Sequence, residues 1–197
     1  MEFKIENTYL YGIFNAYRAS GNPMRVKIQQ PDDAELSNDL ERAKKLAGAR
    51  LGTGHDNFLN GIIVQFDLYA PLYMWKQIQR YHWMDFISSQ STMHCLTKFK
   101  NIKEHCVSDV DHIILTRYQE LLDSYNNLED TNTDDAKELW RKLVASLPSG
   151  FVLGATMTTN FRQLKTIYEQ RKYHKLKEWR EFCKWIESID ANQLITE

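Results

Sequence analysis

The chain has 197 residues, enough for one domain with a sizeable core, and a single domain over 1–197 is the expectation. Its net charge of −1, with 43% hydrophobic and 26% charged residues, argues against general nucleic-acid or membrane-surface binding, so neither partner is expected. Three cysteines without a Cys-x-x-Cys pair exclude a disulfide framework and suit a reducing cytosol.

The N-terminal stretch MEFKIENTYLYG lacks a basic region followed by an apolar core, and no apolar run is long enough to span a bilayer. A cytoplasmic protein is therefore expected. Residues 3–18 mix aromatic and β-branched residues and predict an edge strand and a short helix. The turn-rich Ser20-Gly21-Asn22-Pro23 precedes a short basic strand candidate, Arg25–Gln29. Leu36, Leu40, Ala43, Ala47 and Leu51 then recur at helical spacing, until Gly52-Thr53-Gly54 stops the stripe.

Gly54–His94 is the most informative stretch. Ile62, Val64, Phe66 and Leu68 alternate with Gln65 and Asp67, the period of a strand that buries one face. Pro71 suits the first turn of a helix over Leu72–His82. On such a helix Gln77, Arg80 and Tyr81 share one face, which suggests a site. An ordinary amphipathic helix with Arg80 in a surface ion pair is the alternative. Ser88-Ser89-Gln90-Ser91-Thr92 then places four hydroxyls in five residues, a loop able to donate to a phosphate or a base edge. The competing use of those hydroxyls is to cap a following helix.

Further on, Val110, Ile113, Ile114, Leu121, Leu122 and Tyr125 mark a second long helix. The acidic Asn126–Asp135 connects it to a third helix over Asp134–Ser146, ended by Leu147-Pro148-Ser149-Gly150. Phe161, Leu164, Ile167 and Tyr168, then Trp179, Phe182 and Ile186, predict a long helix with a break near His174. The expected class is α+β, a small antiparallel sheet with long helices.

Two His-Cys pairs, His94-Cys95 and His105-Cys106, invite a zinc reading. Adjacent residues on a helix or strand point apart, and the spacing matches no zinc finger, so no metal site is expected. Nothing marks a cysteine nucleophile, and no glycine-rich phosphate loop of either common type is present.

Taken together, Gly54-His55, the strand, Ala70-Pro71, Gln77-x-x-Arg80 and the serine loop resemble the flavin-dependent thymidylate synthase (ThyX) family. The resemblance resumes at Leu147-Pro148 and at Asn160-x-Arg162-x-Leu164, with Arg171 eleven residues after Asn160. It implies a small antiparallel sheet with long helices, and a homotetramer whose sites are built across subunits. It further implies that FAD takes hydride from NADPH and works with methylenetetrahydrofolate to methylate dUMP. Carried over by position, His55, Arg80, Tyr81, His82 and Asn160 would hold the flavin. Gln77, Ser89, Gln90, Ser91 and Arg171 would meet the nucleotide, with Ser91 and Arg171 as the catalytic pair; guanidinium forks suit planar rings and phosphates.

The family signature is Arg-His-Arg followed by Ser-x-Arg. Here it reads Arg80-Tyr81-His82, then Ser91-Thr92-Met93 one residue later than the family spacing. Met93 cannot bind phosphate, and Val144 stands where the family keeps another arginine, with Arg141 and Lys142 nearby. Each lost charged hydrogen bond would forfeit roughly 1.5–3 kcal/mol. The resemblance therefore leaves open a divergent synthase, a catalytically reduced nucleotide- or flavin-binding relative, or an enzyme acting on another pyrimidine nucleotide.

Overall fold

The computed structural model describes residues 1–28 and 33–196, and the side chains of 33–36 lie outside that description. Four strands form one antiparallel sheet in the order β1-β2-β4-β3: β1 (Lys4–Tyr11), β2 (Ile63–Pro71), β3 (Met84–Ser89) and β4 (Val152–Asn160). The α+β class is as expected. β2 is built by the alternation read from its sequence: Val64, Phe66 and Leu68 are fully buried, while Gln65 and Asp67 stay partly exposed. β1 is an edge strand, as predicted, and is followed by helix α1 (Ile13–Ser20).

β3 and β4 have no counterpart among the predicted elements. β4 lies between two neighbours and carries Gly154, a residue that weakens strands. Its requirement is steric: a Cβ there would come within 2.7 Å of the Tyr69 ring. β3 exposes nearly all its length, so its apolar residues follow no alternation.

The helix after β2 is shorter than Leu72–His82. Helix α3 (Leu72–Ile78) stops at a turn that starts with Gln79, because the chain must reverse to enter β3 at Met84. Gln77, Arg80 and Tyr81 therefore do not share a helical face. The strand candidate Arg25–Gln29 is also corrected: Asn22–Met24 form a 3-10 turn, and no strand follows over Arg25–Ile28. There Arg25 donates to Asp39 Oδ2 (2.7 Å) and to the Arg18 carbonyl (2.7 Å), which ties the segment to the buried Asp39. Gln29 lies outside the described residues.

The chain divides into two compact units. The first comprises Met1–Lys4, Leu68–Arg80 and Ser88–Ala155; the second comprises Ile5–Asp67, Tyr81–Ile87 and Thr156–Glu197. In the first, the short helix α4 (Thr92–Cys95) is followed by α5 (His112–Asn126) and α6 (Asp134–Ala145). Asp111 and Thr133 cap α5 and α6, accepting from Ile113 N and Ala136 N. Leu96, Ile102, Tyr118, Leu122, Leu143 and Phe151 make its core.

The second unit holds α1, α2 (Asp33–Ala47), α7 (Phe161–Arg171), α8 (Lys177–Ser188) and the short α9 (Gln193–Thr196). The stripe predicted for α2 buries Ala43 and Ala47; Leu51 lies beyond the helix end, and Leu36's side chain is outside the description. The break predicted near His174 is the turn between α7 and α8. Phe66 packs against Phe182 and Trp185 at centroid distances of 6.0 and 4.5 Å, joining β2 to α8. Among the described residues no helix is long and apolar enough to cross a membrane.

Candidate functional site

In the first unit, Gln77 is half-buried on α3, and Arg80 is exposed in the turn that follows. Ser89 closes β3 and is exposed. Gln90 grips Gly154: its backbone N–H donates to the Gly154 carbonyl (2.9 Å), and its Oε1 accepts from the Gly154 N–H (2.8 Å). The side chain is thereby fixed on β4. Ser91 takes the N-cap position of α4, yet its hydroxyl makes no capping bond. The four-hydroxyl stretch is thus not one loop, since Ser88 and Ser89 belong to β3.

The two departures differ in kind. Met93 is exposed. Val144 packs against the core of the first unit, where a charge would be costly. Of the possible substitutes, Lys142 pairs with Glu138 at 2.8 Å. Burial pushes the Cys106 thiol up to about 11 and the Cys183 thiol, in the second unit, up to about 12, so both stay protonated near neutrality.

In the second unit, His55 is exposed beside a cavity of about 620 Å³ that also touches Met24, Arg42, Leu46, Asn57 and Phe58. Among the described residues that line it, Arg42 and His55 are the ionisable ones. Arg42 donates to Asp39 Oδ1 (2.6 Å), whose other oxygen holds Arg25, so one buried carboxylate serves two guanidinium groups and the cluster keeps a positive charge. Gly21 is needed beside it, because a Cβ would meet Arg42 Nη1 at 2.5 Å and Asp39 Oδ1 at 2.6 Å.

The turn bearing His55 is anchored from below. Asp56 is fully buried, with Lys165 Nζ 3.3 Å from Oδ2 and Arg162 Nε 3.3 Å from Oδ1, the latter in ion-pair range but outside hydrogen-bond geometry. Asn160 is the N-cap of α7; its Oδ1 accepts from Gln163 N (2.8 Å), leaving the side-chain amide N–H as the donor it can offer a ligand.

Arg171 and Tyr81 are brought together. Arg171 Nε donates to the Tyr81 hydroxyl at 2.7 Å, and its guanidinium lies 4.7 Å from the centroid of the buried Trp179 ring. His82 follows in an exposed turn. Sequence reading missed Asp39, Arg42, Asp56, Lys165 and Trp179 as parts of the site. Two signals were present. Asp39 and Arg42 are i,i+3 partners beside the buried stripe of α2, and Lys165 falls on the helical stripe formed by Phe161, Leu164 and Tyr168 in α7.

No family model matches the chain, and no curated protein does. Its fold is that of the flavin-dependent thymidylate synthases. One solved structure, ThyX from Helicobacter pylori complexed with FAD and dUMP, aligns with a TM-score of 0.72 and 14% identity, over 100% of this chain and 98% of that one. A second structure of the Helicobacter pylori enzyme, with the same two ligands, gives 0.73 and 12% identity over 99% and 98%.

Proposed function

We propose that the chain is a divergent flavin-dependent thymidylate synthase, methylating dUMP to dTMP with FAD as cofactor and NADPH and methylenetetrahydrofolate as co-substrates. The observation that carries this reading is the cavity at His55, set in a chain-length fold shared with ThyX. Its volume is within the range of ligand sites, and its described lining combines flat apolar surface (Phe58, Leu46) with two cationic or donor groups, Arg42 and His55. An isoalloxazine ring with an electron-poor pyrimidine edge suits that lining.

His55 and Arg42 would hold the flavin in the second unit, with Asn160 donating through its side-chain amide N–H and His82 as a further contact. Arg80 is the proposed flavin contact of the first unit. Bound FAD would supply the redox chemistry, passing hydride from NADPH toward the one-carbon unit. The protein's own residues hold and orient the nucleotide. Arg171 offers a fixed guanidinium, Ser91 an uncapped hydroxyl against the base, and Gln77, Ser89 and Gln90 neutral polar groups. In the net reaction a methyl group replaces the hydrogen on C5 of the uracil.

The second reading, a nucleotide- or flavin-binding relative with reduced catalysis or an enzyme for another pyrimidine nucleotide, is favoured by Met93 and Val144. Titration decides first. FAD added to the purified protein should give saturable flavin absorbance, and calorimetry should then detect dUMP. A colourless protein that cannot be reconstituted with FAD contradicts the flavoenzyme reading, and flavin binding without dUMP favours the alternative.

We further expect a cytoplasmic homotetramer. In the second unit Tyr9, Tyr11, Phe14, Trp83, Phe86 and Ile87 are each 44–76% exposed, more large apolar surface than a lone chain ordinarily leaves in water. Light scattering should return four times the 23.3 kDa chain mass. A monomer mass at micromolar concentration contradicts assembly.

A further inference from the structure

Tyr81 stands where the related signature has histidine, and its surroundings give the phenol a defined task. Its hydroxyl accepts from Arg171 Nε at 2.7 Å and donates to Gln170 Oε1 at 3.1 Å. One oxygen thus engages two successive residues at the end of α7. An imidazole cannot do this from a single atom, because each of its nitrogens either donates or accepts.

The surface beneath the guanidinium is rigid. Trp179 is fully buried and packs edge-on against Tyr81 (5.9 Å), Phe182 (5.7 Å) and His174 (6.4 Å). Arg171 lies 4.7 Å over the Trp179 ring and 5.6 Å from that of Tyr81. His174 Nδ1 accepts from Leu176 N at 3.1 Å, which fixes the turn between α7 and α8. Burial and the nearby charges of Arg171 and Arg180 push this imidazole down, so it adds no competing charge near neutral pH.

We propose that Tyr81 is a positioning residue: its hydroxyl fixes the plane of the Arg171 guanidinium, and so the approach of a pyrimidine nucleotide to that arginine. This rests on the nucleotide-binding role proposed for Arg171. It moves the task of Tyr81 from touching flavin to acting through Arg171. A guanidinium held by a directional bond and packed over aromatic rings keeps its orientation before ligand arrives, which lowers the ordering cost of binding.

The test is Tyr81→Phe, which keeps the ring and its contact with Trp179 and deletes only the hydroxyl. In the ligand-free protein, NMR should detect a protected Arg171 Nε–H, exchanging at least tenfold faster in the variant. Calorimetry should show dUMP binding about tenfold weaker, with FAD affinity changed less than twofold. Gln170→Leu removes the other partner of the hydroxyl and should give the same two changes at smaller amplitude. Unchanged Nε–H exchange in Tyr81→Phe overturns the proposal, as does loss of FAD in place of dUMP. If the unmodified protein binds no dUMP, the functional reading fails instead, and the Nε–H exchange still decides whether Tyr81 fixes Arg171.

Discussion

Replacing Lys165 with methionine is expected to destabilise the chain by about 3–5 kcal/mol, the cost of leaving a buried carboxylate without its cation. Asp56 has no exposed surface, and the Lys165 side chain is only 7% exposed. Methionine keeps the apolar stem and removes the charge. It also removes the two bonds from Nζ to the carbonyls of Ala47 (2.5 Å) and Ala49 (2.7 Å), which satisfy the end of α2. Arg162 compensates little, being partly exposed and poorly aligned on Oδ1. The check is a urea midpoint that falls at constant m-value. Because breaking a buried pair costs more than replacing it, Asp56→Asn in the same background should recover part of the loss. A decrease below about 1 kcal/mol would mean that water reaches the pair. Asp56 adjoins His55, so the same substitution should loosen the wall of the proposed flavin cavity.

Arg80→Ala is expected to have the opposite profile. Arg80 is exposed after the end of α3, so its loss should change stability by no more than about 0.5 kcal/mol. Flavin affinity should fall at least tenfold, the effect of losing a charged hydrogen bond to the ligand. In the resemblance read from sequence, Arg80 is the arginine that keeps the register of the ThyX signature. Equal flavin affinity in the variant would return it to the role of an ordinary surface charge.

What could be read from sequence divides along physical lines. β2 was legible because it buries one face of a regular period. α5 and α6 were placed, but Ile113 and Ile114 of the stripe expected for α5 are exposed, and its buried face is set by Tyr118 and Leu122. β3 and β4 were not legible. In β4 the Gly154 demanded by Tyr69 breaks the propensity pattern, and β3 leaves Phe86 and Ile87 exposed in the isolated chain. The overlong reading of α3 arose because nothing between Ile78 and Met84 is a glycine or proline, and the reversal there is imposed by the sheet.

At the candidate site, sequence pointed to His55, Asn160 and Arg171 singly, and to Arg80 and Tyr81 on a helical face that the structure does not form. It could not place the Tyr81 hydroxyl on Arg171, or Arg42 in the cavity with His55, because these pairs are joined only by tertiary packing. The polar residues that organise the second unit sit inside apolar stripes, where pattern reading expects core.

The most direct measurement is anaerobic turnover of dUMP carrying tritium at C5, with FAD, NADPH and methylenetetrahydrofolate supplied together. The account predicts tritium release into water matched by dTMP formation, and neither when any one component is omitted. Protein that is saturated with FAD and binds dUMP, yet releases no tritium and forms no dTMP, would contradict it.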